Sequence, residues 1–242
     1  MRVVIGPDEK ELLQAIGLRA RTPRPGPEAD LVNHFIESGV RQFHPSVHVT
    51  VFLEPWLDGG CPDIVIVHWA ASAYREWKHE RHGLNLSDIR LLHHLFMVGE
   101  STKNEVAHTL GLLGARLEAS TEALDNAGLI RSRGGRLSAL APERVFGVRR
   151  IVAVEAKMSD WAAGLLQACR NRWFASESLV LVPLKEAPEG LKRQAKAWGV
   201  GVLGRRGQKF VRFVQPERAA MPCSYVSWLF NEWVGRHLQY TS

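Results

Sequence analysis

Cysteine is scarce in this chain: Cys61, Cys169 and Cys223 are its only three, far apart and without a C-x-x-C pair. Neither a disulfide framework nor a zinc cage is suggested by that spacing, and small buried thiols are expected instead. Long apolar runs are missing as well. No stretch approaches the roughly 20 apolar residues that span a bilayer. The opening Met1-Arg2-Val3-Val4-Ile5-Gly6-Pro7-Asp8 has no apolar core of the kind a secretory signal needs. No membrane partner and a cytoplasmic location are therefore expected. The histidines form no ligand set, because His93 and His94 point different ways on a helix and strand residues separate His44 from His48.

What is present is an ordinary globular composition: 242 residues, 45% hydrophobic and 23% charged, enough for one large domain or two small ones. The formal charge of +6 is unevenly placed. Lys185 to Arg212 carries Lys185, Lys192, Arg193, Lys196, Arg205, Arg206, Lys209 and Arg212 against only Glu186 and Glu189. Such a stripe attracts polyanions, although a basic run is equally often a solvated face. Lys192, Arg193, Arg205 and Arg206 are its candidate phosphate contacts.

Patterning divides the chain into three stretches. The first, residues 1–83, opens with an amphipathic segment (Asp8 to Leu18) and a connector at Arg21-Thr22-Pro23-Arg24-Pro25-Gly26-Pro27. Pro27 suits a first helical position, Leu31, Val32, Phe35 and Ile36 then recur at helical spacing, and Glu28 falls on the inward stripe. A strand from Val47 to Leu53, a turn at Asp58-Gly59-Gly60 and a second strand headed by Asp63 follow. The second stretch, 84–142, is helical: one helix through Leu86, Ile89, Leu92 and Leu95, a second capped by Ser101 or Thr102, a third from Ala115 to Asn126, then a hairpin turning at Gly134-Gly135. The third, 143–242, alternates strands with helices and implies a partly parallel sheet covered on both faces. In its closing helix Val226, Leu229, Phe230, Trp233 and His237 form a stripe suited to the core or to a dimer contact.

The chemistry concentrates in two half-motifs. Pro62-Asp63 heads the apolar run Ile64-Val65-Ile66-Val67, and Glu155-Ala156-Lys157 ends the run Ile151-Val152-Ala153-Val154. Alternation along a strand puts Glu155 and Lys157 on one side, a carboxylate for a cation beside an ammonium for a phosphate or a water. Hard oxygens from Asp63, Glu155 and the Ala156 carbonyl suit Mg²⁺ or Mn²⁺. The plain reading of the same residues is an ion pair at a sheet edge. Glu54, ending its own strand, is either an extra ligand or a solvated carboxylate.

These half-motifs, with the trailing Ser159-Asp160-Trp161 to Gln167-Ala168, Arg172-Trp173-Phe174-Ala175 and Leu179-Val180-Leu181-Val182-Pro183, resemble the PD-(D/E)XK nuclease superfamily. The resemblance covers nearly the whole chain outside the middle stretch. It implies a restriction-endonuclease-like α/β fold, a mixed sheet flanked by helices, with Asp63 and Glu155 binding the metal, Lys157 serving the water, and Glu28 and Gln167 supporting them. Asn171 stands where members with that glutamine often carry an aromatic, and Asp63 is much further from Glu155 than usual in the family. Removing the middle stretch brings the gap much closer to the usual range. Its three helices and glycine-tipped hairpin resemble an inserted winged helix-turn-helix domain, whose third helix would carry Arg116 and whose wing carries Arg131, Arg133 and Arg136.

The expected function is a metal-dependent endonuclease acting on nucleic acid, DNA in the first instance, with the winged helix assisting positioning. The alternative is a catalytically inactive DNA-binding or regulatory protein that keeps the nuclease fold as a scaffold. Because the insert balances six acidic and six basic residues, a protein-docking role within a homodimer or larger complex also stays open.

Overall fold

The computed structural model describes residues 2–4, 19–44 and 48–240. The amphipathic segment expected at Asp8 to Leu18, and Val47 at the start of an expected strand, lie outside them. Strands β1 (Arg2–Val4) and β2 (Arg19–Ala20) precede helix α1 (Pro27–His34), which continues through a π-helical stretch (Phe35–Gly39) into a last turn at Val40–Phe43. Then come β3 (Val49–Leu53), β4 (Pro55–Trp56) and β5 (Ile64–Trp69). The middle of the chain forms α2 (Leu86–Val98), β6 (Glu100–Thr102), α3 (Lys103–Leu110), α4 (Ala115–Asn126), β7 (Ile130–Arg133) and β8 (Arg136–Ala139). The last third runs β9 (Val148–Ala156), α5 (Trp161–Asn171), β10 (Glu177–Leu181), α6 (Glu189–Ala197), β11 (Gly201–Arg206), β12 (Lys209–Val214) and α7 (Tyr225–Tyr240).

The chain divides into two compact units. One combines β1 and Arg19–Trp69 with Val148–Cys223; the other combines Ala70–Gly147 with the segment from Ser224 to Tyr240. The first is a mixed α/β unit whose sheet runs in the order β1-β3-β5-β9-β10-β11-β12. Its pairs β3–β5, β5–β9 and β11–β12 are antiparallel, and β1–β3, β9–β10 and β10–β11 are parallel. Ile64 to Val67 and Ile151 to Ala156 are buried without interruption. That is why they read as continuous apolar runs, since a central strand covered on both faces cannot alternate with water-facing residues. On one face Leu31, Phe35 and Ile36 of the first helical segment join Ile64, Ile66, Val152, Val154 and Ala156 in a single apolar cluster. On the other, Leu165 and Ala168 of α5 and Leu191 and Ala195 of α6 pack with Val180, Val182 and Val202.

The second unit holds α2, α3, α4, a three-stranded sheet in the order β6-β8-β7, and α7. Asn85 caps α2 and Thr102 caps α3, each in a reciprocal capping box, with Asp88 and Glu105. The expected middle stretch began at residue 84 and ended at 142. The unit instead begins at Ala70, runs to Gly147 and takes the closing helix from the third stretch. The reason is apolar. Trp228 of α7 stands edge-on to Phe96 and Phe146, at 6.2 and 4.8 Å between ring centroids, and Val226, Leu229, Phe230 and Trp233 are buried within the chain. The stripe on the closing helix is therefore core. Arg81 and Glu232 form an ion pair there in which both side chains are buried, and Arg81 also donates to the Val145 carbonyl at 3.0 Å. Among the described residues no helix is long and apolar enough to cross a membrane.

Candidate functional site

Sheet register builds the site. Leu53 pairs with Ile64 across β3–β5, and Ile64 pairs with Val154 across β5–β9. Continued by one rung, the same register sets Glu54, just past β3, and Asp63, just before β5, in a row with Glu155 of β9. The Glu54 N–H donates to the Asp63 carbonyl at 3.0 Å, so the ladder holds to that rung. Directly opposed residues of an antiparallel pair have Cβ atoms about 4.5–5.5 Å apart, which brings the Asp63 and Glu155 carboxyls into one patch.

Both are fixed by hydrogen bonds. The Ala156 N–H donates to Asp63 Oδ2 at 2.7 Å, and Asn171 Nδ2 of α5 donates to Glu155 Oε1 at 2.7 Å. Glu155 is only 4% exposed. Burial, then the neighbouring Asp63 charge, push its carboxyl up to about 8. Burial also raises Asp63, against the pull of the Ala156 N–H and the Lys157 ammonium. A buried carboxyl beside a partly buried one thus meets too little positive charge, which favours a proton retained on Glu155.

Lys157, one residue past β9, extends the β9–β10 ladder by donating its N–H to the Leu181 carbonyl at 2.9 Å. Its ammonium lies 3.5 Å from Glu28 Oε2, and the Met158 N–H donates to Glu28 Oε1 at 3.4 Å. Glu28, expected on the inward stripe of α1, is half exposed, because in the first helical turn it reaches along the helix end toward Lys157 rather than into the core. Gly164 of α5 is required where it stands: a Cβ there would lie 2.7 Å from Lys157 Cγ and 3.2 Å from Val180 Cγ1.

Glu54 has the left-handed φ of +43°, a conformation a glutamate rarely adopts. Its carboxylate is held by Arg21, whose Nε donates to Oε2 at 2.5 Å while the Arg21 N–H donates to the Glu54 carbonyl at 2.9 Å. A cavity of about 230 Å³ is lined by Arg21, Arg24, Glu28, Asn33, Glu54 and Asp63 among others. A second, of about 420 Å³, also has Arg21 in its wall, with Trp56, Asp58 and Cys61. No protein-family model, no curated protein and no solved structure matches this chain.

Gln167 is exposed on α5, and the hydrogen bond to Glu155 comes from Asn171, one turn further on. In the basic stripe, Arg205 Nε donates to the Gly207 carbonyl at 2.7 Å, Arg206 Nε to the Lys185 carbonyl at 2.8 Å, and Lys192 pairs with Glu189 at 2.6 Å. Arg193 is exposed. The stripe occupies α6, β11 and β12, and β11 is two strands from β9, roughly 10 Å away at the usual strand spacing. In the second unit Arg116 is exposed at the start of α4. Arg131, Arg133 and Arg136 are exposed on β7 and β8, Arg133 directly opposite Arg136 and Arg131 two residues along on the same side. Arg136 pairs with Glu100 at 3.3 Å.

Asp63, Glu155 and the Ala156 carbonyl are the hard oxygens available to a divalent ion, and Mg²⁺ takes one or two carboxylates and several waters. Among the described residues no group of three or more His, Cys, Asp or Glu side chains gathers tightly enough to hold a metal. The donor set is thus a carboxylate pair. Sequence reasoning missed Arg21, which no local pattern connects to Glu54. It met Asn171 only as a departure from a family pattern. The shared rung of Glu54 and Asp63 was available to it, since one residue ends a strand and the other begins the next.

Proposed function

We propose that this chain is a metal-dependent endonuclease of the restriction-endonuclease-like class, hydrolysing phosphodiester bonds in nucleic acid. The observation that carries this reading is the register Ile64–Val154, which continued by one rung sets Asp63 opposite Glu155, with the Lys157 charge acting on both carboxyls. Support comes from the sheet, in which an antiparallel β3-β5-β9 part continues into parallel β9-β10-β11 with helices on both faces. The order helix, strand, helix, helix, strand, strand in the second unit supports an inserted winged helix whose wing is the β7–β8 hairpin.

Asp63, Glu155 and the Ala156 carbonyl would hold Mg²⁺ or Mn²⁺, which would supply Lewis acidity to lower the pKa of the attacking water and offset charge developing on the phosphate. The chain does the positioning. Ala156 and Asn171 aim the two carboxylates, and Lys157, steadied by Glu28, holds the water or a non-bridging phosphate oxygen. Arg131, Arg133 and Arg136 contact phosphates through the wing without reading bases.

Single-stranded DNA, or supercoiled plasmid whose underwound strands open locally, should be cut in the presence of Mg²⁺ by the wild-type chain and left intact by Asp63→Ala and by Lys157→Ala. Cleavage that survives both substitutions refutes the assignment. The exposed arginine face of the wing also favours a second reading, a DNA-binding protein without catalysis. Metal-independent binding with no cleavage of any substrate would select it.

A further inference from the structure

We propose that Arg21 and Trp56 form a subsite for an unpaired nucleotide next to the bond that is cut, so that the substrate strand is single or frayed rather than part of an intact duplex. The inference rests on the nuclease reading for its location, and on separate residues for its chemistry. Trp56 is 60% exposed. Single exposed apolar side chains are normal on a protein surface, and what sets Trp56 apart is its placement.

That placement is fixed by backbone. β2 and β4 pair Arg19 with Trp56 and Ala20 with Pro55. The next residue of β2's chain, Arg21, bonds the Glu54 carbonyl, and Glu54 bonds Asp63. Trp56 is therefore two residues along the chain from Glu54, on the rung that carries the site carboxylates. The turn beyond it is closed by reciprocal bonds, Leu57 N–H to the Gly60 carbonyl at 2.9 Å and Gly60 N–H to the Leu57 carbonyl at 3.1 Å. Gly59 in that turn lies against the Trp173 indole so closely that a Cβ would fall 2.4 Å from Nε1. Trp56 thus sits on a short paired strand that runs into a braced turn, an arrangement that lowers the ordering cost of binding.

Arg21 joins this platform to the carboxylates. It lines the cavity that contains Asp63 and also the one that contains Trp56. Glu54 takes its Nε, which leaves the Nη amines of a planar guanidinium to meet phosphate oxygens in a fixed orientation. A phosphate on Arg21 with its base on Trp56 is the cation-and-aromatic pairing by which proteins hold unpaired strands. A base inside a duplex has both faces covered by its neighbours, and an indole can reach one only after it unstacks.

The test is fluorescence anisotropy in EDTA, where no cleavage occurs, using labelled oligothymidylate and oligouridylate of about ten nucleotides and a blunt duplex of equal length. Both single strands, or the one whose sugar the site accepts, should bind more tightly than the duplex. Trp56→Ala should weaken single-strand binding about five- to a hundredfold, with Trp56→Phe retaining most of it and duplex binding unchanged. Arg21→Gln should lower the slope of log K against log salt by about 0.7 for single strands. Equal binding by Trp56→Ala and wild type, or equal losses on single strand and duplex, would overturn the proposal. Unaltered melting of the Trp56 variants checks that the fold is kept. Because the readout needs neither metal nor turnover, a chain that binds through Trp56 and cleaves nothing sinks only the nuclease reading. One that cleaves while indifferent to Trp56 sinks only this subsite.

Discussion

Replacing Glu155 by glutamine removes the most perturbed carboxyl of the site while keeping its shape and an acceptor for Asn171. Burial and the Asp63 charge raise Glu155 from 4.5 to about 8, so the folded chain keeps a proton that the unfolded chain has lost. The associated stability is complete below the unfolded value and disappears as pH rises through the folded one. Integrated from about pH 7 to about pH 9, one such group costs about 1.4 kcal/mol, which lowers Tm by about 3–5 °C in a chain of this size. Thermal melts in EDTA should show that fall in the wild type and not in Glu155→Gln. If the proposed metal site is real, added Mg²⁺ should bind only the folded, deprotonated site, restoring the wild-type Tm more at the higher pH and leaving the variant unmoved. Comparing the two proteins cancels titrations of groups that do not feel Glu155; Cys61, whose thiol burial pushes up to about 11, contributes little below about pH 9 in the folded chain. A wild-type Tm that is flat across the window, or a variant that falls as steeply, would refute the argument.

Asn171→Ala takes away the donor to Glu155 and should weaken Mg²⁺ binding about 10- to 100-fold by calorimetric titration, the usual cost of losing a group that orients a metal ligand; unchanged affinity would show that Asn171 is a spectator. Gly164→Ala puts a methyl against Lys157 Cγ, so the cleavage rate should drop about tenfold or more through misplacement of the ammonium, with secondary structure intact by circular dichroism. Glu232→Gln leaves the buried Arg81 guanidinium without its counter-charge and should destabilise the second unit by about 3–5 kcal/mol in chemical denaturation, whereas a change within error would mean the pair is not structural.

Much of the first unit is legible because its central strands are buried on both faces, and an unbroken run such as Ile64 to Val67 has no other economical explanation. Local signals carried the helix ends equally well: Pro27 opens α1, Thr102 closes a capping box with Glu105, and Gly134 and Gly135 both take positive φ in the hairpin turn. Tertiary choices left weaker marks. The stripe on α7 announces burial without naming its cover, which is why the helix was expected with the sheet and stands instead with α2. Strand β6 is three residues long and too polar to alternate visibly. Gln167 and Asn171 are neighbours on one side of α5, and only the seating of that helix over β9 decides which meets Glu155. The pairing of Arg21 with Glu54 spans two separate segments and has no periodicity to betray it.

Anomalous scattering from crystals soaked in Mn²⁺ tests the central claim most directly. A single peak bound by the Asp63 and Glu155 carboxylates, with the Lys157 ammonium alongside, is the predicted result. Density in which the two carboxylates diverge, or in which Mn²⁺ collects elsewhere and leaves them bare, would contradict it.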